Sequence, residues 1–81
     1  MDYTARLDSI APLILNVKNW STRNDMLKLH RNMRALAANL SVAAVECRRI
    51  HRPTAAFVAL DTRFNEQYSE LEQWLTFALL L

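Results

Sequence analysis

The densest chemistry in this chain is a run of cations, Arg48, Arg49, His51 and Arg52, with Arg63 a short distance beyond. Guanidinium groups grip phosphates and carboxylates through paired parallel hydrogen bonds. These five residues are therefore a candidate phosphate-binding set, and they suit an acidic protein surface equally well. A plainer role exists, because cations at the end of a helix offset its dipole. No aromatic residue is interleaved with them, which works against stacking on single-stranded bases. No helix-turn-helix pattern with a turn glycine is present to read a major groove.

The remaining reactive side chains do not assemble into recognisable motifs. His30 and His51 are too far apart in sequence to share one metal along a helix, and Cys47 before His51 makes only a lone Cys-x-x-x-His pair. Glu66, Glu70 and Glu72 offer carboxylates, but a di-metal helix bundle needs a Glu-x-x-His motif on two helices, and none occurs. No serine, cysteine or histidine has a base at a spacing that would activate it. The expectation is a protein without catalytic residues, metal or cofactor.

Composition narrows the class further. The chain is 52% hydrophobic and 22% charged, the mixture of a globular protein. It contains no glycine, where about six would be usual in its 81 residues. Left-handed helix caps, primed hairpin turns and phosphate-cradling loops all favour glycine, so an all-α chain with very short connections is expected. A formal net charge of +2 is weak for a nucleic-acid binder, whose case must rest on clustering. Cys47 is the only cysteine, so no internal disulfide can form and a reduced, buried thiol is expected. The start of the chain lacks the basic and apolar regions of a signal peptide, and the apolar run from Trp74 to Leu81 is far shorter than the roughly 20 residues that cross a bilayer. Both features predict a cytoplasmic protein.

The elements that must position these residues are legible in the apolar spacing. Met26, Leu29, Met33, Leu36, Leu40, Ala43, Cys47 and Ile50 recur at alternating steps of three and four, one seam of a long helix. That helix is expected over residues 23–50, capped by Ser21 or Thr22, with Asp25 complementing its dipole. Tyr3, Leu7, Ile10, Ile14 and Val17 form a shorter seam over residues 2–18, interrupted by Pro12. Pro12 predicts either a kink or a frayed turn before a short helix capped by Ser9. A third helix is expected over residues 54–80, opening at Pro53, with Phe57, Leu60, Phe64, Tyr68, Leu71, Leu75 and Ala78 as its apolar face.

So short a connection at His51 and Arg52 forces the two long helices into an antiparallel hairpin. The basic stretch Arg23, Lys28, Arg31, Arg34 should then lie beside Glu66, Glu70 and Glu72, with Arg34 level with Leu71. Residues 1–81 form a single domain, a three-helix bundle. Its first helix, about 26 Å long, reaches no further than Leu40. The tip half of the hairpin is left without a cover, although Val42, Val45 and Val58 are apolar. An uncovered apolar surface usually marks a contact site, and a homodimer is the simplest way to cover it.

Two functions follow as expectations. The leading one is a small interaction module of adaptor, chaperone-like or inhibitory type that docks a macromolecular partner through Val42, Val45, Val58, Arg48, Arg49 and Arg52. The alternative is a nucleic-acid-associated accessory protein using Arg48, Arg49, His51, Arg52 and Arg63. The apolar C-terminus is expected to pack against Met26, Leu27 and the first helix, or else to serve as a docking tail.

Overall fold

The computed structural model describes residues 2–80 as three α-helices: α1 (Tyr3–Leu15), α2 (Trp20–Ile50) and α3 (Ala55–Leu80). Leu81, the last residue of the apolar run, lies outside the described residues. The fold is a rod of 48 × 17 × 16 Å whose length is set by α2, since a helix of 31 residues spans about 46 Å. Among the described residues no helix is long and apolar enough to cross a membrane.

Each helix start is fixed by a polar side chain, and two of the three differ from the residues expected. Asp2 accepts from the Ala5 amide at the head of α1, so Ser9 is no cap; its hydroxyl donates to the Ala5 carbonyl inside the helix. Asn19 accepts from the Thr22 amide at 2.9 Å, starting α2 at Trp20 instead of near Arg23. Thr54 accepts from the Phe57 amide at 3.1 Å and caps α3, so Pro53 precedes the helix and is not its first residue. The Thr54 amide in turn donates to Cys47 Sγ at 3.3 Å, which ties the tip of the hairpin together.

Pro12 sits inside α1, which runs through it from Tyr3 to Leu15. The missing proline N–H leaves the Asp8 carbonyl without its helical donor. One residue earlier, the Leu7 carbonyl accepts a hydrogen bond from His30 Nε2 at 2.8 Å. A carbonyl can only accept, so His30 Nε2 is the donor. His30 is a buried pin between α1 and α2.

The turn after α2 also departs from expectation. Without glycine, His51 takes the left-handed conformation itself (φ 58°, ψ 35°), and the amides of His51 and Arg52 both donate to the Cys47 carbonyl. A left-handed cap forms at a steric cost that glycine would avoid.

Packing follows an antiparallel hairpin of α2 and α3. Cys47 meets Thr54 at the tip, and lower down Asn32 and Leu36 share a groove with Gln67 and Arg63. That register sets Arg34 level with Asn65 rather than Leu71, and Arg34 pairs with Asp8 of α1. No ion pair joins α2 to Glu66, Glu70 or Glu72 among the described residues. Helix α1 lies along the hairpin, antiparallel to α2 and parallel to α3. It is held at one end by Arg23 donating to the Val17 carbonyl and at the other by Tyr3 donating to Asp61. Leu7, Ile14, Met26, Met33, Leu40, Phe64 and Leu71 are fully enclosed between the three helices.

Candidate docking surface on the hairpin arm

Where α1 ends, the character of the molecule changes. Asp2, Tyr3 and Thr4 sit against Leu40, Ser41, Ala44 and Arg48, so α1 covers α2 as far as this level and no further. Its anchorage there is a cluster around Arg6. The guanidinium lies 6.0, 5.8 and 5.6 Å from the ring centres of Tyr3, Phe64 and Tyr68, and donates to Asn65 Oδ1 at 2.8 Å. Tyr3 packs edge-on to Phe64 at 4.8 Å. Burial and the hydrogen bond to Asp61 push the Tyr3 hydroxyl up to about 12. Tyr68 is raised as well, by burial first and then by the charge of Glu72.

Beyond this cluster the hairpin continues as a two-helix arm, formed by α2 from Ser41 onward and by α3 up to about Arg63. The heptad seam persists, but Ala43, Cys47, Ile50, Phe57 and Leu60 are only half-buried, whereas Met33 and Leu40 are sealed. Cys47 is thus not the fully buried thiol expected from its place in the seam. Val42, Val45 and Val58 are 73%, 57% and 52% exposed.

These valines do not share one face. Residues 100° apart on a helix can be placed relative to those with known neighbours. Leu36 and Cys47 face α3; Ser41 and Arg48 face α1. Val42 and Val45 then fall on the side of α2 turned away from α3, and by the same reasoning Val58 falls on the side of α3 turned away from α2. The arm brings Val42 and Val45 together and separates Val58 from them.

The cations are dispersed too. Arg48 lies on the α1 side beside Asp2 and Thr4. Arg49 donates to Glu46 at 2.8 Å through Nε on the outer face, and this bond holds the Glu46 carboxyl below the usual range. Arg63 lies in the groove on the far side, with Asn32, Asn39 and Gln67. Arg52 and His51 are exposed at the tip. Among the described residues Arg48, Arg52 and Arg63 form no ion pair, and no group of histidine, cysteine and carboxylate side chains is placed to hold a metal.

The opposite end carries apolar surface too, of which the sequence singled out the C-terminal run from Trp74 but not Leu13, Leu15 or Trp20. Leu75 is buried and Trp74 and Ala78 pack on the core, as the bundle-closing reading expects, but Phe77 and Leu80 are largely exposed. Leu13, Leu15 and Trp20 are exposed at this same end. The available signal was that Leu13, Leu15, Phe77 and Leu80 all lie off the seams of their helices.

The fold and surface define a three-helix bundle with a protruding hairpin arm. Comparison with known proteins adds nothing to that class: no protein-family model, curated protein or solved structure matches this chain.

Proposed function

We propose that the protein is a binding module that docks a helix of a macromolecular partner against its hairpin arm. One observation carries this reading: α2 and α3 run past the end of α1, leaving a half-buried seam and exposed valines where Met33, Leu40 and Phe64 beside α1 are sealed. A surface helix gains most of its stability from packing an apolar face, so an arm that packs only one side of each helix is stabilised further by whatever covers it. The dispersal of Arg48, Arg49 and Arg63 over three sides of the arm favours a protein surface over one phosphate-binding patch.

The test is photo-crosslinking in the cell of origin, with a benzophenone side chain placed at Val42, at Val58 or, as a control on the sealed half, at Glu70. Adducts of defined mass at Val42 or Val58 and none at Glu70 are expected. Adducts only at Glu70, or a retained nucleic acid lost on Arg48→Ala/Arg52→Ala, would replace this reading.

A further inference from the structure

The groove that seats α1 continues past the end of α1. On α2 its floor follows one heptad line. Arg23 donates to the Val17 carbonyl, His30 to the Leu7 carbonyl, Ala37 is buried, and Ala44, next in line, is only half-buried. On α3 the matching line runs from Phe64, edge-on to Tyr3, to the half-buried Phe57. Residues seven apart return to nearly the same side of a helix, so Ala44 and Phe57 are the bare counterparts of Ala37 and Phe64. Val58 stands in the same relation to Asn65, which accepts from Arg6 and so marks the α1 side of α3.

The α2 edge of this groove carries a charge with a precedent. Arg34 pairs with Asp8 of α1. Two heptads on, about 21 Å along the same edge, stands Arg48 beside Asp2 and Thr4. It is exposed and has no carboxylate partner among the described residues. The carboxylates on this side of the arm are already engaged: Asp2 accepts from the Ala5 amide and Asp61 from Tyr3. The arm is also the basic part of the molecule. It sets Arg48, Arg49, Arg52 and Arg63 against Glu46 and Asp61, while cations and carboxylates balance in the rest of the chain. The net charge of +2 therefore lies on the arm.

We infer that the groove beyond α1 takes an acidic amphipathic helix of another protein, laid in line with α1 over Ala44 and Phe57. Its apolar edge meets Val58, and a carboxylate faces Arg48 as Asp8 faces Arg34. This rests on the reading of the arm as a docking surface and adds to it the partner's chemistry, the face and the register. The α2 segment above Leu40 is short, about three turns, so the contact is small. The ion pair then sets orientation and selectivity more than strength.

Selection of helical peptides from a randomised displayed library on the immobilised full chain tests it. Enriched peptides carry apolar residues at steps of three and four, flanked on one side by aspartate or glutamate. Their affinity falls at least about tenfold for Arg48→Glu, and changing the peptide carboxylate to lysine restores it. Val58→Glu weakens them too, whereas Val42→Glu, on the outer face of α2, leaves them unaffected. No enrichment, enriched peptides without carboxylates, or equal affinity for Arg48→Glu overturns the acidic helix. The docking reading then still stands if benzophenone at Val42 or Val58 reaches a protein in the cell. Peptides lost on Val42→Glu but retained on Val58→Glu overturn the face.

Discussion

The two halves of the hairpin use the same heptad spacing and reach different states. On α3, Phe64 and Phe57 stand one heptad apart on the same seam. Phe64 is fully enclosed, with Tyr3 edge-on to its ring and Arg6 over its face; Phe57 is half-buried. The difference is the third helix. A seam between two helices excludes water from one side only, and α1 closes the second side for the lower half alone. Periodicity therefore specifies which residues meet, while coverage decides how much that meeting stabilises.

The sharpest way to break this comparison is the same substitution at both positions. Phe64→Ala should cost about 3–5 kcal/mol, a large share of the stability of so small a domain. Phe57→Ala should cost about 1–2 kcal/mol, as expected for partial burial. Chemical denaturation of the two variants checks it, and equal losses would mean that the arm is packed as tightly as the base.

A smaller effect probes the junction between the halves. Tyr3 donates to Asp61 and its hydroxyl titrates near 12 instead of the ordinary 10.0. The folded state prefers the protonated phenol, so this contribution is intact below pH 10 and lost as pH rises towards 12. Tyr3→Phe should cost about 1 kcal/mol at neutral pH and flatten part of the alkaline decline seen by thermal melting. An unchanged alkaline profile would show that the phenol is not held in this way.

The smallest effect lies at the tip. His51 pays steric strain in the left-handed region, which glycine does not. His51→Gly should stabilise the chain by about 0.5–1 kcal/mol after the entropy of glycine is set against the relieved clash. A loss of stability would mean that the imidazole has contacts at the tip beyond its backbone role.

Much of this fold was legible in the residues. The seam from Met26 to Ile50, the missing glycines and the short connection after Ile50 specify three helices and a hairpin, and the length of α1 marks where coverage ends near Leu40. Capping was less legible, because Asn19, Ser21 and Thr22 compete within one short connection and any of them can accept from an orphan amide. Arg34 was placed beside the wrong helix because its partner Asp8 comes from α1, whose position depends on the whole assembly. The pin from His30 to the Leu7 carbonyl was hidden for a similar reason: it joins a side chain to a backbone group, which spacing does not encode. Of the candidate surface, the exposure of Val42, Val45 and Val58 followed from helix lengths. Their separation onto two faces needed the helical phases fixed by real neighbours.

The most direct test of the account is amide hydrogen exchange along α2 in dilute solution. The amides of residues 41–50 should exchange faster than those of residues 26–40. Equal protection along the whole helix would contradict the open arm.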